Sequence, residues 1–225
     1  MPPIRLYGRL LLAALLALPV VLLLSWWVDE PLSKLLHWHG ESLRPFFTGV
    51  MRLHDALIDT VVMQQPLYLW LGLLCLFCIT RLLRQRHCTI WLVAVLTLVS
   101  SQAVRNLLAV YFNRPRPFQV FSQVAPDGGF WQVVGQFDAF PSGHAAGTAA
   151  LLLPWTLRFP KVRPWLLSWL GLICIGRVVL EYHWLSDVVA GASIGLMLTC
   201  GWELGTRWLR PSSTVEAASV AAGAT

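Results

Sequence analysis

Charge is what this sequence has least of. Asp, Glu, Lys and Arg together make up 12% of its 225 residues while 56% are hydrophobic, and mean hydropathy is +0.62. A water-soluble domain of this size needs far more polar surface, so that class is excluded. Cysteine is sparse as well. Five cysteines scattered in or beside apolar runs build no disulfide framework, and the Cys75-x-x-Cys78 pair, inside an apolar run, reads as packing rather than redox chemistry or zinc. No glycine-rich phosphate loop of the Walker type occurs, and no dense carboxylate cluster suggests magnesium. The net charge of +6 comes from basic residues at the ends of apolar runs, a pattern set by membrane topology rather than by nucleic acid.

What is present is a series of runs able to cross a bilayer, which takes about 20 apolar residues per helix. The first, 10–28, follows Arg5 and Arg9, contains Pro19 and ends in Ser25-Trp26-Trp27-Val28. Bulky Trp there reads as an interfacial belt, so this is a retained span and not a signal peptide. Further spans are predicted at 67–83, 88 to about 109, 145–157, 165 to about 179, and 184–204. The mixed stretch 29–65 predicts amphipathic helices on the membrane surface. It holds His37, His39 and His54 as surface residues, in a spacing not diagnostic of metal. The longest loop, 110–141, is assigned to headgroup recognition or lid closure, with Asp127 and Asp138 as solvated turn residues. The expected fold is therefore an all-α integral membrane protein of six transmembrane helices, with amphipathic helices between the first two. Residues 1–210 form one domain and 211–225 a disordered tail.

Three polar stretches break the apolar background. In Arg177-Val178-Val179-Leu180-Glu181-Tyr182-His183-Trp184-Leu185-Ser186-Asp187, an Arg, a His and an Asp stand six and four residues apart. If a helix begins near Trp184, Asp187 lies one turn from His183 on the same face. A carboxylate on one ring nitrogen fixes the tautomer and leaves the other nitrogen's lone pair for a substrate, as a nucleophilic His requires. The plainer alternative is that the two satisfy each other at a helix start. Phe140-Pro141-Ser142-Gly143-His144 precedes the run at 145. Ser142 is a natural N-cap, the N–H groups of Gly143 and His144 face an anion site, and Gly143 has no Cβ to hold the anion off. An ordinary cap beside a chance His would read alike. Asn113-Arg114-Pro115-Arg116-Pro117-Phe118 holds two guanidiniums on a stiff segment that cannot continue the preceding helix. They suit phosphate oxygens, or serve as anchors that snorkel to the headgroups.

In order, these stretches give Arg-Pro, then Pro-Ser-Gly-His, then Arg, five residues, His, three residues, Asp. That set resembles the three-part signature of the type 2 phosphatidic acid phosphatase family, which shares its site with vanadium haloperoxidases and bacterial acid phosphatases. The resemblance covers roughly residues 105–187. Two departures stand out. The family's Lys, seven residues before Arg-Pro, falls on Ala109 in register with Arg116, or on Leu107 in register with Arg114. The third motif, usually Ser-Arg, opens Gly176-Arg177. Arg105, one turn before Ala109 on the same helical face, is expected to supply the missing cation.

The resemblance implies phosphoryl transfer through a phosphohistidine. His183 would attack phosphorus, with Asp187 orienting it. His144 would protonate the leaving oxygen and then take a proton from the hydrolytic water. Arg116, Arg177, Ser142 and the N–H of Gly143 would hold the equatorial oxygens, joined by Arg105, with Arg114 a further phosphate-binding candidate out of register. No metal or cofactor is called for, because the arginines and the helix terminus supply the positive potential. The partners implied are the bilayer and a lipid phosphate, not nucleic acid. Undecaprenyl diphosphate is the first choice, since compact six-span bacterial members of the family recycle that carrier. Phosphatidylglycerophosphate, phosphatidate and lipid A phosphates are the alternatives. A lipid phosphotransferase, or a binding or transport protein that has kept the fold, would carry the same motifs. With the N-terminus inside, ten Arg and Lys residues fall on the cytoplasmic side and seven on the other, four of them in the proposed site. The termini are then cytoplasmic and the site periplasmic, in a bacterial inner membrane.

Overall fold

A computed structural model of the chain describes residues 3–56, 66–85 and 87–209. Within them the regular secondary structure is helical: α1 (Ile4–Trp27), α2 (Asp29–His39), α3 (Arg44–His54), α4 (Pro66–Leu82), α5 (Thr89–Phe112), α6 (Pro117–Phe121), α7 (Gly143–Arg158), α8 (Arg163–Val179) and α9 (Leu185–Gly205). The expected tail at 211–225 lies outside the described residues. Three stretches are long and apolar enough to cross a membrane: Ile4–Trp27, Thr89–Phe121, which takes in α5 and α6, and Leu185–Gly205. Helices α4, α7 and α8 have 17, 16 and 17 residues. At 1.5 Å per residue that is about 25 Å, somewhat short of a hydrocarbon core of about 30 Å. All six occur where apolar runs predict them, and the expected amphipathic helices are α2 and α3.

The bundle is organised around α7, which packs against α5, α8 and α9. Its run Gly143, Ala145, Ala146, Gly147, Thr148, Ala149, Ala150 is small and buried apart from the half-buried His144 between. Small residues let helix backbones approach closely in a membrane, and α9 answers with glycines. A Cβ on Gly191 would lie 2.5 Å from the Ser142 carbonyl oxygen, and one on Gly195 would lie 2.6 Å from Ala149 Cβ. The closeness has a consequence for chemistry, because the Ser142 N–H reaches the Asp187 carbonyl at 3.0 Å and ties the second motif to the third. Helix α1 lies along α9 through Tyr7, Ala14 and Val21, a buried stripe of seven-residue spacing. Its other faces carry exposed Leu, Val and Trp suited to lipid. Cys75 and Cys78 are exposed on α4. They belong to its outward surface and not, as expected from the apolar run, to packing.

Helix α5 runs one turn beyond its predicted end and stops at Asn113, which is left-handed at φ 39° and caps through its N–H to Ala109 O. Asn tolerates that conformation better than most residues. The Asn113 side chain then gathers the following loop, donating to Gln132 O at 2.6 Å and Gly135 O at 3.1 Å and accepting from Phe137 N at 2.7 Å. These bonds tie residues 132–137 of the loop back to the end of α5, while Val133 and Val134 stay exposed.

Candidate active site

The three motifs meet at one end of the bundle. Ser142 caps α7, its hydroxyl accepting from Ala145 N at 3.4 Å, and the same hydroxyl retains a hydrogen to donate. His183 stands in the turn between α8 and α9, fully buried. Its Nδ1 lies 2.8 Å from the Ala139 carbonyl oxygen. A carbonyl only accepts, so Nδ1 carries the hydrogen and Nε2 carries the lone pair. Ala139 is itself fixed by the first motif, its N–H donating to Arg114 O at 2.9 Å. Asp187 was expected to orient His183 directly, but its carboxylate lies 3.7 Å from Nδ1, at ion-pair distance. The carboxylate is spent elsewhere: Oδ2 accepts from Trp184 N at 2.9 Å, capping α9, and Oδ1 accepts from Arg114 at 2.7 Å. Burial pushes the His183 imidazole well below its ordinary pKa, and the nearby Arg177 and Arg116 push the same way. A neutral, lone-pair-bearing ring results.

Arg114 and Arg116, two residues apart, have opposite surroundings. Arg114 is buried and engaged on all three nitrogens, by Gly128 O, Ser186, Asp187 and Asp29, with its guanidinium over the rings of Phe130 and Trp184. This corrects the expectation that Arg114 binds phosphate: its place is structural, since Asp29 and Asp187 already neutralise it. Arg116 faces the loop and pairs both Nε and Nη2 with Asp138, at 3.0 and 2.9 Å. Arg105 reaches the same carboxylate at 3.2 Å, and its Nε lies 3.2 Å from where a Cβ on Gly143 would be. Arg105 thus arrives from α5 at the first residue of α7, beside Arg116, as its helical face predicts. Asp138 is no solvated turn residue. Burial raises its carboxyl, but Arg116 and Arg105 outweigh burial and hold it below the usual range. Asp127 is the turn residue expected, accepting from Gly129 N and the Gln132 side chain.

Arg177, at the end of α8, is buried with its guanidinium 4.5 Å from the Tyr182 ring. It acts electrostatically on His183, His54 and Asp55. His144 comes to the same cluster from the start of α7, its Nε2 3.6 Å from the carboxylate of Asp55, which caps the end of α3. The structure therefore gathers Arg105, Arg116, Ser142, Gly143, His144, Arg177, His183 and Asp187, leaving Arg114 beneath them as a support.

Sequence reasoning overlooked the part played by α2 and α3. Asp29, at the start of the stretch expected to lie on the membrane surface, is buried and accepts from Ser186 N and Arg114. Glu181, inside the third motif at φ 60°, is held by Arg44 of α3 and by His37 of α2 at 3.1 Å. His54, expected at the surface, is 2% exposed and meets Thr148 at 3.3 Å, and burial aided by Arg177 lowers its pKa to about 4. An acidic or basic residue flanked by Leu and Trp in a mixed segment carries no local sign of such pairings. Among the described residues, no group of three or more His, Cys, Asp or Glu is placed to hold a metal ion.

Two grooves adjoin this end. One, of about 690 Å³, is apolar and lies among α2, α8 and α9, lined by residues such as Leu32, Leu36, Val178 and Val188. The other, of about 610 Å³, is lined by Arg105, Asn106, Ala109, Asn113, Gln136 and Asp138 with Val110 and Phe137.

Against known proteins, residues 90–210 match the PAP2 superfamily. Two lipid A 1-phosphatases are similar in sequence. One from Rhizobium johnstonii is 35% identical over 47% of this chain and 44% of its own length. One from Rhizobium etli is 34% identical over 50% of this chain and 47% of its own. The matches therefore span less than half of either relative. A crystal structure of a transmembrane PAP2 type phosphatidylglycerolphosphate phosphatase from Bacillus subtilis superposes with a TM-score of 0.58 at 19% identity, covering 91% of this chain and 97% of that one. This likeness concerns the fold.

Proposed function

The chain belongs to the PAP2 superfamily, and from that premise we propose that it is an integral membrane lipid phosphatase working through a phosphohistidine at His183. The observation that carries the reading is the His183 ring, buried, held at Nδ1 by the Ala139 carbonyl and set among arginines. In the proposed reaction Nε2 attacks phosphorus in line and the bond from phosphorus to the lipid oxygen breaks, with His144 donating a proton to that oxygen. Water then attacks the phosphohistidine, giving its proton to His144 and releasing phosphate and neutral His183. Arg116, Arg177, Arg105, Ser142 and the Gly143 N–H hold the equatorial oxygens. An arriving phosphate replaces the Asp138 carboxylate on Arg105 and Arg116, since both present the same forked acceptors. Asp187 acts at one remove, holding Arg114 and the start of α9.

For the substrate we take a phosphorylated glycolipid of the lipid A kind first. The sequence relatives bear that activity in their names, and the polar groove beside Arg105 and Asp138 offers amide and charged groups to a headgroup larger than phosphate alone. The apolar groove suits the hydrocarbon chains. Undecaprenyl diphosphate, first on sequence grounds, becomes second. Six spans, cytoplasmic termini and a periplasmic site are the topology that goes with this reading, supported by the charge count.

The test is phosphate release by detergent-purified protein, with EDTA present, from lipid A, undecaprenyl diphosphate, phosphatidylglycerophosphate and phosphatidate. Wild type is expected to release free phosphate and to form an acid-labile phosphoenzyme, and His183→Ala to do neither. Equal release by the two proteins would overturn the phosphohistidine. Phosphate appearing on an acceptor other than water would make the protein a transferase.

A further inference from the structure

We propose that Asp55, brought by α3 from outside the three motifs, is the positioning carboxylate of His144 and sustains its service as general acid. The inference rests on the phosphohistidine reading and adds a residue to it. His144 must hold a proton when the lipid oxygen leaves, yet its neighbours oppose one. Burial works against the charged ring first, and Arg177 from α8, His183, His54 and Arg116 from the first motif add to it electrostatically. Cations that suit a phosphate make a poor setting for an imidazolium. Among the described residues, Asp55 sets a carboxylate against His144, with Oδ1 3.6 Å from Nε2. That separation is an ion pair's and not a hydrogen bond's, so the carboxylate stabilises the imidazolium without retaining its proton. The Asp55 side chain is 47% exposed against 17% for His144. It therefore reaches from the buried ring toward solvent. The carboxylate remains ionised through the cycle. The proton given to the leaving oxygen comes from His144 and is restored by the hydrolytic water.

The placement of Asp55 is built into the fold. The last residue of α3 and the one that follows it meet successive turns of α7: His54 touches Thr148, and Asp55 faces His144. Helix α3 also packs on α8, and Gly176 permits this. A Cβ there would lie 3.1 Å from Phe47 and 3.5 Å from Met51 Sδ, both on α3. The third motif departs from its usual Ser-Arg at this very position. Gly176 thus lies in the packing contact that seats α3, whose last residue directly precedes Asp55.

The experiment uses the full-length protein and two probes, dodecyl phosphate, whose alkoxide must be protonated to leave, and 4-nitrophenyl phosphate, whose phenolate leaves without help. Asp55→Asn is expected to cut kcat on dodecyl phosphate by roughly 10- to 100-fold, within the range for general acid catalysis, and to leave 4-nitrophenyl phosphate turnover within about threefold. The alkaline limb of its dodecyl phosphate pH profile moves to lower pH, Asp55→Glu restores much of the rate, and His144→Ala combined with Asp55→Asn loses little more than His144→Ala alone. Gly176→Ser, which pushes α3 away, reproduces the same dependence on leaving group and serves if Asp55→Asn does not fold. Equal losses on both probes, or no loss on dodecyl phosphate, would overturn the inference. Failure of the underlying reading looks different, since His183→Ala would then still turn over both probes.

Discussion

Both ends of this bundle bury an arginine against a carboxylate, and only one of them makes a site of it. At the end away from the motifs, Arg158 of α7 pairs with Glu203 of α9 at 2.7 Å, reaches Thr89 of α5 at 3.0 Å, and Tyr7 of α1 adds a hydroxyl on Glu203 at 3.3 Å. Four helix ends are pinned by a cluster that closes on itself. At the motif end Arg114 plays the same part between Asp29 and Asp187. Above it, however, stand Arg105, Arg116 and Arg177, with His144 and His183 among them. A buried ion pair is therefore the fold's way of fastening helix ends. What marks the site is the second tier of cations, two of which, Arg105 and Arg116, meet on the loop carboxylate of Asp138 while Arg177 lies over Tyr182.

That comparison breaks if the two tiers behave alike on mutation. The largest effect is expected from Arg158→Ala, which takes the arginine from the buried Glu203 carboxylate and costs about 3–5 kcal/mol of stability, as removing one partner of a buried pair does. The kcat of whatever fraction remains folded should stay at the wild-type value. Thermal unfolding in detergent, set beside turnover corrected for folded protein, reads both. Arg116→Ala should do the opposite, with kcat falling about 100- to 1,000-fold, the usual loss for one transition-state donor, and little change in unfolding temperature. If Arg158→Ala lowered kcat, or Arg116→Ala unfolded the protein, the division into fastening and working arginines would fail.

The same division explains how far the sequence could be read. The motif spacing, the Ser142 cap and the turn at Trp184 are local features, and local rules placed them correctly. Arg105 was placed by helical periodicity, one turn before Ala109, and it does reach Gly143 and Asp138. Arg114 and Arg116 could not be told apart, because the difference lies in Asp29, 85 residues away in the chain. Likewise, the Ala139 carbonyl took the place assigned to Asp187 because a backbone group 44 residues from His183 has no signature in sequence. Long-range pairing between the α2–α3 segment and the motifs, not composition, decides which polar residues support and which act.

His54 offers a further way to sharpen the contrast, through pH. Its pKa is lowered from 6.5 to about 4 by burial and by Arg177, so between those values the unfolded chain binds the proton and the folded one does not. Stability must then fall as pH drops from about 6.5 to 4, by about 3 kcal/mol from this group at roughly 1.4 kcal/mol per unit. Asp55 and Asp29, whose carboxyls burial raises, act in the opposite sense near the acid end of that window. The reading is therefore the difference between wild type and His54→Leu, whose unfolding temperature should vary less across the window. Identical pH curves would remove His54 from the buried interior.

The smallest effects separate two glycines on one face of α9. A methyl at Gly195 would meet Ala149 Cβ at 2.6 Å, with Ala150 N and Ala146 O at 3.1 and 3.2 Å, all on the body of α7, whereas a methyl at Gly191 would meet at 2.5 Å the carbonyl of Ser142, the N-cap of the helix that bears His144. Overpacking of this kind costs about 1–3 kcal/mol, so Gly195→Ala and Gly191→Ala should lose similar stability. Their activities should differ. Gly195→Ala can be absorbed by sliding α9 along α7, but Gly191→Ala can be relieved only by parting Ser142 from Asp187, whose backbone bond sets the second motif against the third. A displacement near 1 Å at reacting groups costs up to about 100-fold in rate, and only Gly191→Ala should show a loss approaching it. Equal rates in the two variants would mean that the contact between α7 and α9 fastens the bundle without setting the geometry of the site.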